Sequence, residues 1–451
     1  MAKTEADIQS SRLAASELAK NFDDMHPPLT RSEALIESDR CYFCYDAPCT
    51  TACPTGIDIP RFIQQIRSDN QTGSARTILS ENIVGGMCAR VCPTEILCEE
   101  ACVRNTHEDK PVNIGLLQRH ATDPVFEHNT ALFERATETG RKVAVVGAGP
   151  AGMACAHRLA MLGHSVVVMN RDAKAGGLNE YGIAAYKTVD NFAQREIDYI
   201  MSIGGIELRN GIELGRDVSL SKLCSDYDAV FVGFGLDGVN ELGLANENTQ
   251  GVVDAVDYIA QLRQSDQKTD LPVGRNVVVI GGGMTAIDIA VQSKKLGAEH
   301  VDVVYRRGPE QMGASKFEQD YAQTNGVRIR HWAAPVRLLV DERVTGVEFA
   351  RTELASDGKL QTTDQTWSIN ADVVFKAVGQ NISEAMLGDA MDQPEQKYGK
   401  LLVDEERRTS LNLVWAGGDC VYGHDDLTVS AVQDGKLAAI SIDKMLRSEA
   451  A

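Results

Sequence analysis

The stretch VAVVGAGPAGMACAHRLAMLGHSVVVMN, residues 143–170, decides the fold. A short apolar run leads into Gly147, Gly149 and Gly152, which have the spacing G-x-G-x-x-G, and a helical stretch and a second apolar run ending at Asn170 follow. These glycines permit a tight turn and the close approach of a pyrophosphate, which the amino end of the helix faces. The pattern predicts a parallel α/β dinucleotide fold. Its predicted nucleotide contacts are Gly147, Gly149, Pro150, Ala151 and Gly152.

The residue that ends the second apolar run departs from the usual pattern. An Asp or Glu commonly binds the ribose hydroxyls there, whereas this chain has Asn170. An amide also donates or accepts a hydrogen bond, so we predict Asn170 as a nucleotide contact.

The same unit recurs as VVVIGGGMTAIDIAVQSKKLGAEHVDVVYRRG, residues 277–308. The third glycine is replaced by Ala286, which the packing role of that position tolerates. Arg306 and Arg307 end the second run, and their charge and forked geometry suit a 2′-phosphate, which favours NADP(H) over NAD(H). The alternative is that both arginines are simply solvated on a loop. The predicted contacts are Gly281, Gly283, Met284, Thr285, Ala286, Arg306 and Arg307.

A third nucleotide pattern lies near the carboxyl end, where an apolar run leads into Gly418 and Asp419 and a helix starts near Thr428. Such an aspartate can bond the ribityl chain of a flavin, and a helix start stabilises negative charge on its ring. The order of motifs resembles that of flavin reductases of the glutathione-reductase type, in which the pyridine-nucleotide domain is inserted into the FAD domain. The further predicted FAD contacts are Gly177, Leu178, Gly418, Asp419, Thr428 and Val429.

Eight of the 11 cysteines lie between Cys41 and Cys102. The first group, CYFCYDAPCTTACP, is close to the bacterial ferredoxin run, in which the cysteine before proline, here Cys53, binds a second cluster. The second group is CARVCPTEILCEEAC, residues 88–102. Eight thiolates suit two 4Fe-4S clusters, two zinc sites, or one cluster with unliganded cysteines.

The remaining cysteines favour the two clusters. Reductases of this type often use a C-x2-C or C-x4-C redox disulfide, but Cys155 and Cys420 have no neighbouring cysteine in the sequence. A flavin without a dithiol partner must pass its electrons one at a time to other acceptors. Iron-sulfur clusters accept single electrons, whereas zinc does not.

The whole order of motifs, with CARVCPTEILCEEAC and PVNIGLLQR as its most specific parts, resembles the small flavin and iron-sulfur subunit of bacterial dihydropyrimidine dehydrogenase. It also resembles the amino-terminal part of the fused eukaryotic enzyme and, more distantly, the small subunit of glutamate synthase. The resemblance implies a basic flavin neighbour at Lys187 and leaves Cys88 unliganded. It implies two ligand sets: Cys41, Cys44, Cys49 and Cys102 for cluster one, and Cys53, Cys92, Cys98 and Gln118 for cluster two.

The resemblance implies that this chain delivers electrons to a partner protein. Hydride would pass from NAD(P)H to FAD, and single electrons would pass through the clusters to an FMN-containing partner that reduces uracil or thymine. A hetero-oligomer follows, since 451 residues leave no room for the FMN barrel. The alternatives are the same task in a glutamate synthase complex, or a zinc-stabilised nucleotide-binding scaffold.

The net charge, the lengths of the apolar runs and the order of the motifs give the remaining expectations. The 45 Lys and Arg against 64 Asp and Glu, a net charge of −19, argue against nucleic acid. The absence of a long apolar run predicts a cytoplasmic protein without a membrane span. We expect an α/β chain with a helical double-cluster domain over 1–140, an FAD domain over 141–271 and 395–451, and an inserted NAD(P)H domain over 272–394.

Overall fold

The computed structural model describes residues 13–382, 393–423 and 425–448. The helices are α1 (Ala15–Asn21), α2 (Arg31–Asp39), α3 (Pro48–Ala52), α4 (Ile59–Arg67), α5 (Gln71–Glu81), α6 (Gly85–Val91), α7 (Asn105–Glu108), α8 (Ile114–Glu127), α9 (Pro150–Met161), α10 (Leu178–Tyr181), α11 (Phe192–Met201), α12 (Leu220–Asp226), α13 (Ala255–Gln264), α14 (Met284–Leu296), α15 (Lys316–Thr324) and α16 (Thr428–Ser448).

The strands, in chain order, are β1 (Lys142–Val146), β2 (Ser165–Asn170), β3 (Ile206–Asn210), β4 (Ala229–Val232), β5 (Gly238–Val239), β6 (Val252–Asp254), β7 (Asn276–Gly281), β8 (His300–Val304), β9 (Arg328–Arg330), β10 (Ala333–Asp341), β11 (Arg343–Leu354), β12 (Leu360–Asn370), β13 (Val373–Ala377), β14 (Gln380–Asn381), β15 (Gln396–Lys397), β16 (Lys400–Leu401) and β17 (Val414–Ala416). The contacts divide the chain into two compact units. Among the described residues, the larger unit holds 26–180, 190–238, 381–382, 393–423 and 425–448, and the smaller unit holds 13–25, 181–189 and 239–380.

The first part of the larger unit is helical, as its sequence pattern predicts. Thr30 caps α2 in a capping box with Glu33, and Asp58 caps α4 by accepting a hydrogen bond from the backbone N–H of Arg61. Apolar side chains at helical spacing are buried in one core, among them Phe62 and Ile66 on α4. Helices α4, α5, α6 and α8 pack against one another and hold the cysteine-bearing loops in place.

The second part of the larger unit is a parallel five-stranded sheet in the order β17-β4-β1-β2-β3. Strand β1 is central, and Val145 pairs with Val168 on one side and Phe231 on the other. Buried β-branched residues on these strands explain their continuous apolar runs. Helices α9 and α16 pack closely at Gly435, where a Cβ atom would overlap the carbonyl oxygen of Ala151.

The smaller unit repeats this design with a parallel sheet in the order β6-β13-β7-β8-β9. Strands β10, β11 and β12 form a separate antiparallel sheet. Residues 239–380 are inserted between β4 and β17, which are sheet neighbours in the larger unit with Phe231 paired to Trp415. The predicted α/β class and the insertion of one nucleotide fold into the other are therefore both present.

The predicted boundaries at 272 and 394 differ from the observed division. Strand β6 pairs with β13, so residues 239–271 belong to the smaller unit, and the return to the larger unit comes at 381. The polar stretch near Gln264 is a connection within the smaller unit between α13 and β7. A three-residue, half-buried strand has no apolar run, so the sequence pattern did not reveal β6. Residues 383–392 lie outside the described part of the chain.

The amino-terminal segment also differs from the expected helical domain, because residues 13–25 belong to the smaller unit. Leu18 and Phe22 are buried there in its core. The side chain of Asn21 donates a hydrogen bond to the carbonyl oxygen of Lys295 at 2.9 Å, and the Lys295 ammonium donates to the carbonyl oxygen of Asn21 at 2.7 Å. Across the three described ranges, no helix has the length and apolar character needed to cross a membrane.

Candidate redox site

The glycine loop after β1 is shaped so closely that side chains are excluded from it. Gly147 has φ +96°, and a Cβ atom at Gly152 would overlap the carbonyl oxygen of Gly147. Gly177, with φ +54°, crosses the loop so closely that its Cβ would lie 2.8 Å from the Cα of Gly149. Helix α9 begins at Pro150 without a side-chain cap, so its first N–H groups are available to an anion. This cradle suits the pyrophosphate of FAD.

The third nucleotide motif lies in the same unit. Gly418 has φ +80°, a Cβ at this position would lie 3.1 Å from the Cβ of Ala151, and its N–H donates to Asp434 at 2.9 Å. Burial, together with Asp426 and Asp434, raises the pKa of Asp419 to about 6. A carboxyl group that is costly to ionise is suited to hydrogen bonding with hydroxyl groups.

The start of α16 is held against helix α10, which follows Gly177. The hydroxyl group of Thr428 donates to the side-chain oxygen of Asn179 at 2.9 Å. Val429 is buried, so only its backbone is available to a ligand, whereas Leu178 is exposed. The structure thus brings the predicted flavin residues of both segments into one unit.

Two predicted flavin contacts have other partners in the structure. The amide of Asn170 donates to the carbonyl oxygens of Asp172 and Lys174 and to the side chain of Asn210, at 2.9 to 3.1 Å, and so closes the loop after β2. Lys187 lies in the smaller unit, where its ammonium is 2.7 Å from Asp288 and 2.8 Å from Glu318. Their flavin roles stay predictions.

The environment of Lys187 explains its charge. Burial alone would lower the pKa of Lys187, but the carboxylates of Asp288 and Glu318 outweigh it and raise the pKa. The backbone N–H of Ala184 and the hydroxyl of Tyr186 also donate to Asp288, at 3.3 and 3.4 Å. Segment 181–189 is therefore fastened to α14 by a buried ionic group.

The second glycine loop borders an open cavity of about 690 Å³ within the smaller unit. A Cβ at Gly281 would overlap the carbonyl oxygen of Ala377, whereas a Cβ at Gly283 would meet nothing within 4 Å. Ala286 is buried and packs in the core below. The lining residues that matter here are Gly281, Gly283, Thr285, Arg306, Gly313 and Lys376. This space and helix α14 suit a pyridine nucleotide.

The two predicted phosphate-binding arginines are not equivalent. Both are exposed, but Arg306 lines the cavity and Arg307 lies outside its lining. Motif reasoning missed Lys376, which lines the cavity from β13 and lies 3.0 Å from Asp254. The sequence did offer a signal for Lys376. The apolar run of β13 is followed by Val378 and Gly379, and the carboxyl ends of parallel strands face the same ligand.

The eight amino-terminal cysteines form two groups of four. Cys41, Cys44, Cys49 and Cys102 line one small cavity among α3, α4 and the start of α8. Burial and the neighbouring thiols of this group raise the pKa of Cys49 to about 12. The pKa of Cys92 is raised by its hydrogen bond with Cys88, by burial, and by Cys98 and Cys53.

The geometry of these groups favours clusters over single ions. All eleven cysteines are free thiols. Within the described residues, no three His, Cys, Asp or Glu side chains lie close enough to hold one metal ion. A zinc ion gathers its sulfurs at Zn–S distances of about 2.3 Å, whereas each thiolate of a 4Fe-4S cluster binds a different iron. Four half-buried thiols around one space, as in the group of Cys41, Cys44, Cys49 and Cys102, therefore fit a cluster.

The predicted amide ligand, Gln118, is buried on α8. Its Nε2 donates to the carbonyl oxygen of Gly85 at 2.7 Å, at the start of α6. Helix α6 carries Cys88 and ends just before Cys92. Gln118 and Cys92 are thus both tied to α6, while ligation by Gln118 stays a prediction.

Comparison with known proteins agrees with this site. Residues 141–435 match the family model described as pyridine nucleotide-disulphide oxidoreductase, and residues 18–130 match that of dihydropyrimidine dehydrogenase domain II, 4Fe-4S cluster. The NAD-dependent dihydropyrimidine dehydrogenase subunit PreT of Escherichia coli K12 is 34% identical over 427 residues, 94% of this chain and 97% of that protein. The glutamate synthase [NADPH] small chain of the same organism is 34% identical over 444 residues, 93% of each.

Solved structures support the fold of the reductase part. Thioredoxin reductase of T. acidophilum superposes with a TM-score of 0.53 at 21% identity, covering 68% of this chain and 99% of that one. FprA of Mycobacterium tuberculosis in complex with NADPH gives 0.56 at 18% identity, covering 69% and 86%. At this identity the likeness concerns the fold alone.

Fold and site together define an iron-sulfur flavoprotein oxidoreductase that uses a pyridine nucleotide, with FAD and 4Fe-4S chemistry. The chain belongs to the pyridine nucleotide-disulphide oxidoreductase family, in the group that includes NAD-dependent dihydropyrimidine dehydrogenase subunits and glutamate synthase small chains. The predicted fold class, enzyme class and resemblance are confirmed. The zinc-stabilised scaffold does not agree with these findings.

Proposed function

We propose that this chain is the electron-input subunit of a dihydropyrimidine dehydrogenase complex. It takes hydride from NAD(P)H onto FAD and passes single electrons through two 4Fe-4S clusters to an FMN-containing partner that reduces uracil or thymine to the 5,6-dihydro form. The observation that carries the proposal is the pair of four-thiol groups in a domain that matches dihydropyrimidine dehydrogenase domain II. FAD and the clusters supply the redox chemistry itself.

The chain contributes binding and orientation. The loop at Gly147 and the start of α9 hold the pyrophosphate of FAD, and Asp419 and the start of α16 hold its ribityl chain and ring. The loop at Gly281 and helix α14 hold the pyridine nucleotide. The ligand sets are those implied by the resemblance, with Cys53, Cys92, Cys98 and Gln118 completing the second cluster.

Among the described residues, the flavin motifs carry no pair of neighbouring cysteines. This supports transfer of electrons from the flavin to the iron-sulfur clusters. Cys155 is buried within α9, and Cys420 is buried beside the carbonyl oxygen of Gly417. Each is a single buried thiol, and the two lie on different elements.

We propose NADP(H) as the preferred nucleotide because Arg306 lines the cavity and its guanidinium suits a 2′-phosphate. The names of the relatives point both ways, since one is NAD-dependent and another uses NADPH. Only a direct comparison of the two nucleotides decides this.

The second candidate is the small subunit of a glutamate synthase complex, which the 34% identity to that chain favours equally. The two functions differ in the partner and its substrate, while the electron-input chemistry is the same. The partner is an FMN-containing protein in the first case and an amidotransferase-type protein in the second.

The deciding experiment isolates the chain anaerobically with its co-purifying large partner. NADPH and NADH oxidation is then followed with uracil or thymine, and separately with glutamine plus 2-oxoglutarate. We expect pyrimidine-dependent oxidation and dihydropyrimidine as the product. Oxidation that depends only on glutamine and 2-oxoglutarate would establish the second candidate, and a preparation without flavin or acid-labile sulfide would exclude both.

A further inference from the structure

Glu196 on α11 places a carboxyl group in the core of the larger unit, with 2% of the residue exposed. Its Oε1 accepts hydrogen bonds from the backbone N–H groups of Gly86 and Met87, at 2.9 and 3.0 Å. The rings of Phe126 and Phe192 enclose the same point, since a Cβ at Gly86 would lie 2.5 and 2.6 Å from them. The carboxyl group is therefore packed against the first turn of α6.

Charged groups of two neighbouring helices act on this carboxyl. Arg90 on α6 lies over the Phe192 ring at 3.4 Å and pairs with Asp123 on α8 at 2.9 Å. Arg119 on α8 pairs with the same aspartate at 3.0 Å. Two guanidinium charges thus face one carboxylate, and the state of Glu196 decides whether the buried group carries a net positive charge.

The packed elements carry three further basic side chains, those of His157, Arg158 and Arg195. On α9, His157 lies edge-on to Phe133 and Arg158 donates to the carbonyl oxygen of Ser80. On α11 itself, Arg195 lies 5.3 Å from the Phe192 ring. The charges with the largest effects on the pKa of Glu196 are those of Arg90, which lowers it, and Asp123, which raises it.

Burial raises the pKa of Glu196 to about 8, because the hydrogen bonds from Met87 and Gly86 and the charge of Arg90 offset only part of the desolvation and Asp123 opposes them. A group with such a pKa exchanges a proton in the mildly alkaline range when a charge changes close by.

Helix α6 links this carboxyl to the second ligand set. Cys92 follows the last residue of α6, and Gln118 is hydrogen-bonded to Gly85 at its start. With a rise of about 1.5 Å per residue, Cys92 lies about 9 Å along the helix from Gly86. Over that distance inside a protein a unit charge is felt strongly, because water does not screen it.

We propose that at alkaline pH, where its carboxyl group is ionised, Glu196 takes up the proton that compensates the electron entering the cluster of Cys53, Cys92, Cys98 and Gln118. One electron, delivered from NAD(P)H through the flavin, enters the cluster as one proton from solvent binds the Glu196 carboxylate. Both depart when the electron moves on, so the net charge of the region is unchanged. Glu196 is not a ligand of the cluster and acts on it through helix α6. It is therefore a positioning residue and not a catalytic one. The inference rests on the proposed function only in requiring that cluster.

The test is an EPR-monitored redox titration of the anaerobic holoprotein between about pH 6 and about pH 10. We expect two cluster signals, of which one has a midpoint potential that falls as the pH rises through the alkaline range. In Glu196→Gln, which mimics the protonated acid, this dependence is lost and the potential stays near the acidic value of the wild type. The control is Glu207→Gln, an exposed residue on β3 of the same unit.

The outcomes separate the two proposals. Two signals with pH-independent potentials in the wild type, or an unchanged slope in Glu196→Gln, would overturn the role of Glu196 and leave the proposed function standing. A protein without reducible clusters would overturn the proposed function and this inference with it. Should the variant not load its clusters, infrared difference spectra of the wild type at alkaline pH decide: a carboxylic acid band must appear on reduction, and its absence refutes proton uptake.

Discussion

The ammonium group of Lys436 on α16 donates to the carbonyl oxygen of Thr55 at 2.8 Å and lies 2.9 Å from the Glu81 carboxylate. The hydroxyl of Thr55 is in turn 3.3 Å from the thiol sulfur of Cys53. One buried lysine therefore connects the helix whose start faces the flavin motifs with the loop that carries a predicted ligand of the second cluster.

Replacing this lysine should destabilise the larger unit. In Lys436→Met, the carbonyl oxygen of Thr55 loses its donor while it remains buried, and we expect a loss of about 1–3 kcal/mol in the free energy of unfolding. Denaturant unfolding of the apo chain measures this. Lys444→Met, on the exposed part of the same helix, removes a surface ion pair with Glu406 and should cost less than about 1 kcal/mol. Equal losses in the two variants would contradict the connection.

Glycine replacements should separate a structural from a ligand-facing role. Gly152→Ala forces a Cβ into the backbone of Gly147, so the variant should lose bound FAD and stability together. Gly283→Ala introduces a Cβ that meets nothing within 4 Å, so it should fold normally and weaken only the binding of NAD(P)H. Flavin content, melting temperature and nucleotide affinity are the readouts. A Gly283→Ala chain that binds NADPH as well as the wild type would remove that loop from the site.

The two arginines at the nucleotide cavity should differ in effect. Arg306→Ala should weaken NADPH binding about tenfold or more and leave NADH nearly unchanged, because a charge-assisted hydrogen bond contributes about 1.5–3 kcal/mol. Arg307→Ala should have the smaller effect, since Arg307 lies outside the cavity lining. The measurement is the KM for each nucleotide. Equal responses of NADPH and NADH to Arg306→Ala would mean that no 2′-phosphate is recognised there.

Cluster content should distinguish ligands from neighbours. Cys49→Ser and Cys92→Ser should each remove about half of the iron and acid-labile sulfide, since each set holds one 4Fe-4S cluster. Cys88→Ser should retain both clusters, and Gln118→Ala should disturb only the second. Iron and sulfide analysis with EPR of the reduced protein checks this. Loss of a cluster in Cys88→Ser with full retention in Gln118→Ala would exchange the roles of these two residues.

Glu196 also predicts a pH dependence of stability. Its pKa is about 8 in the folded chain against the usual 4.5, so the folded state favours the neutral acid. The stability associated with this group is fully present below pH 4.5 and is lost as the pH rises toward 8. Glu196→Gln should therefore melt above the wild type by a margin that grows between these pH values. A margin independent of pH in thermal unfolding of the apo chain would contradict this.

The local motifs could be predicted from the sequence because their requirements are short-range. The turns at Gly147 and Gly281 need glycine where a Cβ would strike backbone. The cysteine spacings indicate cluster ligands locally, whereas Cys102 joins Cys41, Cys44 and Cys49 only through tertiary packing. The parallel strands followed from their apolar runs. Strand β6 could not be found in this way, because a strand of three half-buried residues takes its pairing from β13 rather than from its own pattern.

The amino-acid sequence by itself therefore determined the two nucleotide folds, the insertion of one into the other and the cysteine-rich helical part. Only the tertiary structure decided which charged groups are buried and what they face: Lys187 pairs with Asp288 across 101 positions of the chain, and Glu196 lies against Gly86 across 110. Burial and ion pairing depend on groups that are distant in the chain and are brought together by packing, whereas the motifs depend on the backbone geometry of a few consecutive residues.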